Sequence, residues 1–355
     1  MTFPITKAQT LKPKPKTETL GFGKYFSDHM FLMDYAPKTG WSGGRIVPYG
    51  PLPLDPASMI LHYGQEIFEG LKAYRRADGG VQFFRPIENI RRFNRSCERL
   101  TVPVLDEEVF MSAMTELVKL EKSWVPEATD ASLYLRPFVI ATDPYLGVRP
   151  SDTFLFVIIL SPVGAYYSGG MSPTNILIED EDVRAAVGGL GYAKTSANYA
   201  ATLRAQERAK VRGFSQVLWL DAAERKYVEE VGTSNAFFVL DGKVVTPALS
   251  GSILPGITRD SCLALLRKWG MPVEERKISV DEVWQAAADG RLSECFASGT
   301  AAVVSPVGRL TYKDDTLVIG GEKVGPLAQK LYDSLTGLQW GLVPDDMGWI
   351  VPVEI

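Results

Sequence analysis

The residues best suited to chemistry gather around Lys194. It ends a glycine-rich turn, Gly188-Gly-Leu-Gly-Tyr-Ala-Lys-Thr195, and Ser-Ala-Asn198-Tyr199 follows. A lysine between a tight turn and a helix can point inward from a rigid position. A lysine that is buried loses solvation, which favours the neutral amine able to condense with an aldehyde. Asn198 and Tyr199 lie one turn further on, near the lysine's side of the chain, and a phenol there suits a hydrogen bond to an aromatic oxygen. The same turn nearly satisfies the phosphate-cradling pattern G-x-x-x-x-G-K-[ST], and Val217-Leu-Trp-Leu-Asp221 imitates a strand ending on a magnesium-binding aspartate. Ala193 stands where that loop needs glycine, however, and a Cβ obstructs the backbone wrap around a phosphate. The turn also follows Arg184-Ala-Ala-Val187 rather than a buried β run. The amine reading is therefore preferred to a nucleotide-binding one.

Two further stretches suit an anion. In Ser250-Gly-Ser-Ile-Leu-Pro-Gly256-Ile257-Thr258, the Pro-Gly step precedes a strongly helical run. The free amides of Ile257 and Thr258, the Thr258 hydroxyl and the positive helix end make a phosphate site; taken alone, the pattern is also that of an ordinary capped helix. Ser298-Gly-Thr300-Ala301-Ala302 has residues small enough for a second backbone nest. Glu229 and Glu230, ahead of Val231-Gly-Thr233-Ser-Asn235, form a carboxylate pair between two β runs. Such pairs usually face solvent, but one facing inward can hydrogen-bond a ring nitrogen.

The rest of the composition excludes competitors. A net charge of −4 with no basic block argues against nucleic acid. The longest apolar run, Phe154 to Leu160, is far short of the roughly 20 residues of a membrane span. Three cysteines (Cys97, Cys262, Cys295) and two histidines (His29, His62), widely scattered, give no disulfide framework and argue against a zinc site or a His-dependent triad; no metal is expected.

The 355 residues, 46% hydrophobic and 23% charged, suit two soluble domains. The pattern predicts strands at His29–Tyr35, Leu71–Tyr74, Val81–Phe84, Ser132–Ile140, Phe154–Leu160, Asn175–Ile178, Val217–Leu220, Phe237–Leu240, Lys243–Thr246 and Glu294–Ala297. Asp78-Gly79-Gly80 and Asp241-Gly242 read as hairpin turns. Helices are expected at Glu88–Leu100, Asp106–Trp124, Ser196–Val211, Ile257–Trp269, Val280–Ala288 and Gly325–Leu335. Hairpins outnumber βαβ crossovers, so the class is α+β or mixed α/β. The lysine- and proline-bearing first twenty residues read as a flexible arm rather than a targeting signal, and a cytoplasmic location is expected. The Gly-, Ser- and Pro-rich stretch from Gly164 to Pro173 marks the interdomain linker.

Four motifs then occur in order: Gly191-Tyr-Ala-Lys194-Thr-Ser-Ala-Asn198-Tyr199, Glu229-Glu230-Val-Gly232-Thr233-Ser-Asn235, Leu254-Pro-Gly256-Ile257-Thr258-Arg259, and Ser298-Gly-Thr300-Ala301. With Phe22-Gly-Lys, Asp28-His29-Met30, Leu61-His62-Tyr63-Gly-Gln-Glu-Ile-Phe68-Glu69-Gly70, Arg91-Arg92-Phe-Asn-Arg95-Ser96 and Leu133-Tyr134-Leu-Arg136-Pro137, the chain resembles the branched-chain amino acid aminotransferases of the fold-type IV, pyridoxal 5′-phosphate (PLP) class. The resemblance runs from Phe22 to about Arg309. It implies a smaller N-terminal α/β domain (1–166), a linker (167–181) and a larger C-terminal pseudo-barrel domain (182–355) carrying the PLP lysine.

The resemblance also implies roles. The enzyme would exchange an amino group between leucine, isoleucine or valine and 2-oxoglutarate by a ping-pong route. Lys194 would form the internal aldimine and shuttle the proton between substrate Cα and cofactor C4′. Glu230 would hold the pyridine nitrogen protonated, which makes the ring an electron sink. Tyr199 would bond the phenolic oxygen. Arg92, chosen over Arg91 by its spacing to Arg95-Ser96, would grip the phosphate with Ile257, Thr258 and Thr300, and Leu254 would pack on the ring. Phe22, Tyr63, Tyr134 and Tyr166 would wall an aliphatic pocket, although core packing is the commoner fate of such aromatics. Thr233 would join that pocket, and Thr300 and Ala301 would offer amides to the substrate α-carboxylate. Arg136 would meet the second carboxylate of glutamate. Leu146 and Val148 look like a loop lent to a partner subunit, so a homodimer is expected. Mammalian members carry a Cys-x-x-Cys pair where this chain has Ala302 and Ser305, so no thiol switch is expected there. The nearest rivals share the fold: a D-amino acid aminotransferase, or a lyase acting on an aminodeoxychorismate-like substrate.

Overall fold

The computed structural model describes residues 1–164 and 171–354. The chain forms two compact units, one of Met1–Tyr166, Ala193–Ser196 and Gly337–Ile355, the other of Tyr167–Tyr192 and Ala197–Thr336.

In the first unit, strands β1 (His29–Ala36), β2 (Gly40–Pro48), β3 (Glu66–Phe68), β4 (Leu71–Arg75), β5 (Val81–Phe84), β6 (Ser132–Ala141) and β7 (Phe154–Val163) join the C-terminal strand Ile350–Val353. The sheet is antiparallel, in the order Ile350–Val353, β5, β4, β6, β7, β1, β2, with β3 also on β6. Helix α1 (Met59–Tyr63) is a single turn, while α2 (Pro86–Arg99) and α3 (Glu107–Leu120) supply the core. Pro86 starts α2, and Asp106 caps α3 by accepting from the amides of Glu108 and Val109. Period-two alternation decides what each face carries. Ile67, Leu71, Ala73, Leu133 and Leu135 enter a core with Phe93 and Phe110. Alternation therefore directs their neighbours Glu66, Phe68, Lys72, Tyr134 and Arg136 to the opposite face.

The first twenty residues are tied down, contrary to the flexible arm expected. Ile5 bridges to Ile46. The Ala8 amide donates to His29 Nε2 at 2.8 Å, the Lys12 amide to Asp28 Oδ1 at 2.7 Å, and the Lys12 ammonium to Ser27 O at 2.7 Å. Asp28, His29 and Glu121 are buried, and His29 Nδ1 hydrogen-bonds Glu121. Buried polar groups require partners, and the arm's amides help satisfy them; the lysine and proline content of the arm conceals that.

The second unit contains β8 (Thr174–Glu179), β9 (Gln216–Leu220), β10 (Val228–Val231), β11 (Ser234–Leu240), β12 (Lys243–Thr246), β13 (Val273–Glu275), β14 (Leu292–Gly299), β15 (Val303–Tyr312) and β16 (Asp315–Val318). The ladder β10-β9-β8-β15-β14-β11 closes because β10 also pairs with β11, which makes a six-stranded barrel. β12 and β13 extend it beyond β11, and β16 beyond β15. Strand β8 begins inside the range read as linker. Helices α4 (Ser196–Ala200), α5 (Leu203–Val211), α6 (Ile257–Lys268), α7 (Val280–Ala288) and α8 (Pro326–Gln339) complete the chain. Ala205 and Ala209 of α5 cover Leu177, Val217 and Trp219, while Ile176, Ile178, Leu218 and Leu220 enter a second cluster with α7. The single helix expected over Ser196–Val211 is broken at Ala201-Thr202, because the Thr202 hydroxyl and amide both donate to Tyr199 O, at 2.7 and 3.0 Å, and tighten that turn. The hairpin between β11 and β12 turns on Asp241 and Gly242 at φ of +51° and +74°, as the Asp-Gly pair predicts.

Candidate active site

The candidate residues are read unit by unit. In the first, the Lys194 main chain runs beside β3. The Phe68 amide donates to Lys194 O at 3.0 Å, the Lys194 amide donates to Ser96 Oγ at 2.9 Å, and the Thr195 hydroxyl donates to Glu66 O at 2.6 Å. These bonds fix the lysine's backbone and leave its half-buried side chain to reach along the sheet face, where Nζ stands 4.7 Å from the Phe68 ring centroid. The Arg136 guanidinium lies 4.6 Å from the same centroid, and its Nη2 donates to the Tyr134 hydroxyl at 3.0 Å. The face thus carries an amine and a guanidinium against one aromatic ring. Gly70 makes room for Tyr134: a Cβ there would stand 1.9 Å from the phenol oxygen. Phe22 meets the Tyr134 ring edge to face at 5.0 Å.

Glu69, part of a sequence motif but without an expected role, is fully buried and takes the Arg92 fork, with Arg92 Nε on Oε1 at 2.6 Å and Nη2 on Oε2 at 2.9 Å. Asn89 Nδ2 and the Gly70 amide also donate to Oε2, at 2.8 and 3.0 Å. Burial opposes ionisation of Glu69, but the Arg92 charge and hydrogen bonds, aided by Lys194 and Asn89, outweigh it and hold the carboxyl below its ordinary range. Arg91 instead lies at the surface against Glu88 and Glu107. Sequence reasoning also missed Lys72. It is buried on β4 in register with Tyr134, and burial pulls its pKa down to about 8. A single lysine between Leu71 and Ala73 in a β run was the available signal.

Tyr63 donates its hydroxyl to Leu146 O. Tyr63, Leu146 and Val148 are exposed, the last at 85%. Tyr166 lies outside the described residues.

In the second unit, Glu230 is 3% exposed and accepts from the Leu254 amide at 2.8 Å, with Arg184 Nε 3.2 Å from its other oxygen. Glu229 is buried too and accepts from the Ser252 hydroxyl. Burial raises its pKa, against the Ser252 hydrogen bond and the Arg184 charge. Gly256 precedes α6, whose first residues are Ile257 and the buried Thr258. Only glycine fits there, since a Cβ would lie 2.0 Å from Asn235 Oδ1, and Asn235 Nδ2 holds Leu254 O at 3.0 Å. Asn198 Nδ2 donates to Leu190 O at 2.8 Å, which ties α4, with the half-buried Tyr199, to the glycine-rich turn. Thr300 and Ala301 form the tip between β14 and β15. Gly299 pairs with Val303, and Val303 has a φ of +62°, uncommon for a β-branched residue. Thr233 is exposed.

Taken unit by unit, the groups present suit a phosphorylated pyridine aldehyde: the first unit holds an amine able to condense, and the second holds a buried carboxylate beside an arginine, suited to a ring nitrogen, and a helix N-terminus with a hydroxyl, suited to an anion. Among the described residues, no group of three or more His, Cys, Asp or Glu is placed to hold a metal ion, and no helix is long and apolar enough to cross a membrane.

Comparison with known proteins agrees. Residues 66–310 match the Amino-transferase class IV family. The chain is 56% identical to branched-chain-amino-acid transaminase 1 of Bacillus subtilis over 343 residues, 96% of each chain. It is 54% identical to branched-chain-amino-acid aminotransferase 2 of the same organism, covering 99% of this chain and 97% of that one. Among solved structures, the branched-chain amino acid aminotransferase of Escherichia coli superposes with a TM-score of 0.78 at 27% identity, over 92% of this chain and 99% of that one. Another branched-chain amino acid aminotransferase, solved with pyridoxamine 5′-phosphate, gives 0.76 at 27% identity, over 91% and 98%.

Proposed function

The chain belongs to the class IV aminotransferases, and from that premise we propose that it exchanges the amino group between L-leucine, L-isoleucine or L-valine and 2-oxoglutarate, using PLP in a ping-pong cycle. The observation that carries the reading is the cluster on the first unit's sheet face, with Lys194 Nζ and the Arg136 guanidinium against one ring, Phe68. An aliphatic side chain and the second carboxylate of glutamate must be accepted in turn. Phe68, Tyr134 and Phe22 suit the former, and Arg136 the latter.

When bound, PLP would supply an electron sink for chemistry at the substrate Cα. Lys194 Nζ would move the proton between that carbon and cofactor C4′. Glu230 keeps the ring nitrogen protonated, and Tyr199 donates to the phenolic oxygen. Arg92, Ile257, Thr258 and Thr300 hold the phosphate, and Leu254 packs on the ring. Thr300 and Ala301 offer amides to the α-carboxylate, with Thr233, Tyr63 and Tyr166 further out. The exposed apolar pair Leu146 and Val148 suits a loop covered by a second copy, and the assembly is a homodimer working in the cytoplasm.

The test is amino transfer to 2-oxoglutarate from a panel of L-leucine, L-isoleucine, L-valine and D-alanine, with spectra of the purified protein before and after L-leucine. A coloured preparation bleached by L-leucine is expected, with turnover of the three L-amino acids. Turnover with D-alanine alone, or a protein that stays colourless with added PLP, contradicts the assignment.

A further inference from the structure

Strict alternation along β10 would send Glu229 and Glu230 to opposite faces. The pairing of β10 with β9 shifts register between Val228 and Val231, and both carboxylates engage one short segment: Ser252 Oγ donates to Glu229 and the Leu254 amide to Glu230. Both are at least nine-tenths buried. Two neighbouring buried carboxylates repel, and the cheaper outcome is for one to take up a proton. Which one does so matters, because a protonated Glu230 cannot serve as the anion for a pyridinium nitrogen.

Arg184 is placed to decide this. It is 8% exposed, and its Nε stands 3.2 Å from Glu230 Oε2. Its Nη2 donates to Ser252 O and to Gly191 O, the latter at 3.3 Å. The two carbonyls anchor the guanidinium with Nε at ion-pair distance from Glu230, whereas Glu229, which also feels the Arg184 charge, takes its hydrogen bond from the Ser252 hydroxyl. Gly191 is required for this arrangement: a Cβ there would lie 2.1 Å from Ser252 O, so only glycine lets the turn ahead of Lys194 lie against Ser252.

We propose that Arg184 is a positioning residue of the transamination site. It fixes Glu230 as the ionised member of the Glu229–Glu230 pair and ties it, through Gly191 and Ser252, to the turn that leads into Lys194. The proposal rests on the assignment of Glu230 to the cofactor's ring nitrogen. Neither Arg184 nor Glu229 is assigned a contact with cofactor or substrate; both act through Glu230.

The test compares wild-type holoenzyme with Glu230→Gln, Arg184→Gln, Arg184→Lys, Glu229→Gln and the Arg184→Gln/Glu229→Gln double variant. Three quantities are read: the rate of PLP loss on dialysis, kcat and KM for L-leucine, and the melting temperature of each apo form. Outer partners of a liganding group act at roughly ten- to hundredfold. Arg184→Gln is therefore expected to speed PLP loss and lower kcat on that scale, with KM changed little. Arg184→Lys, which keeps the cation, recovers part of the loss. Adding Glu229→Gln to Arg184→Gln also recovers part, because the rival carboxylate is gone, and Glu229→Gln alone retains PLP. PLP loss in Arg184→Gln that only tracks a lower apo melting temperature, with no recovery in the lysine or double variants, overturns the proposal. So does normal PLP retention in Arg184→Gln when Glu230→Gln loses it. If Glu230→Gln itself retains PLP normally, the assignment of Glu230 falls, and this proposal with it.

Discussion

Lys194 and Phe68 meet twice. The Phe68 amide donates to the Lys194 carbonyl at 3.0 Å, and the Lys194 amine stands 4.7 Å from the centroid of the Phe68 ring. The backbone bond sets where the lysine begins, and the ring sets the wall along which its side chain lies. Arg136 stands 4.6 Å from the same centroid, so the amine and the guanidinium share one ring, and under the proposed function that ring walls the place of the substrate side chain.

Phe68→Leu keeps an apolar residue but shortens that wall. A lost contact of this size in an apolar pocket is worth about 1–3 kcal/mol. The expected result is a kcat/KM for L-leucine lower by roughly ten- to a hundredfold, with PLP retained, measured by steady-state assay and spectrum.

Arg136→Gln separates the two half-reactions. A charged hydrogen bond contributes about 1.5–3 kcal/mol, so KM for 2-oxoglutarate rises about ten- to a hundredfold, while single-turnover reaction with L-leucine changes little. Equal losses in both half-reactions would assign Arg136 to general support of the sheet face.

Removing Glu69 leaves Arg92 as a buried cation without its carboxylate, at a cost of about 3–5 kcal/mol. Glu69→Gln is expected to lower the melting temperature and speed PLP loss. The pH dependence follows from the sign of the shift. The folded carboxyl is held below its ordinary value near 4.5, so its contribution is complete above that pH and falls away as acid takes pH down through the folded value. Acid unfolding of the wild type should therefore be steeper below pH 4.5 than that of Glu69→Gln.

The sheet face was readable from sequence because alternation is local. Leu133 and Leu135 against Tyr134 and Arg136 is a period-two pattern, and the Asp-Gly hairpins announce their own turn geometry. Less readable was whatever depends on chain closure. The β10–β11 pairing that shuts the barrel, the short strands β13 and β16, and the arm's hydrogen bonds to Asp28 and His29 join segments whose composition does not mark them as partners. Arg184 went unassigned for the same reason, since its acceptor Ser252 lies 68 residues away. Glu69 had a local signal, a carboxylate between Phe68 and Gly70 in an apolar run, and its partner Arg92 was already singled out for the phosphate.

Thiol chemistry should leave activity untouched. Cys97, Cys262 and Cys295 are free and buried, and burial pushes the Cys262 thiol up to about 12, so little reactive thiolate exists near neutrality. With Ala302 and Ser305 after the Gly-Thr-Ala turn, mild peroxide is expected to cause no inactivation that a thiol reductant reverses. Reversible loss of activity would point to a redox-sensitive cysteine among these three.

The proposed function rests on the amine of Lys194 as the cofactor's point of attachment, and every other role proposed for the site depends on that. Treating the holoenzyme with borohydride makes the attachment permanent, and digestion followed by peptide mass analysis locates it. One modified peptide is expected, with the added mass on Lys194, and neither modification nor turnover in Lys194→Ala. Attachment at Lys72 or any other lysine, or full turnover by Lys194→Ala, would refute the assignment.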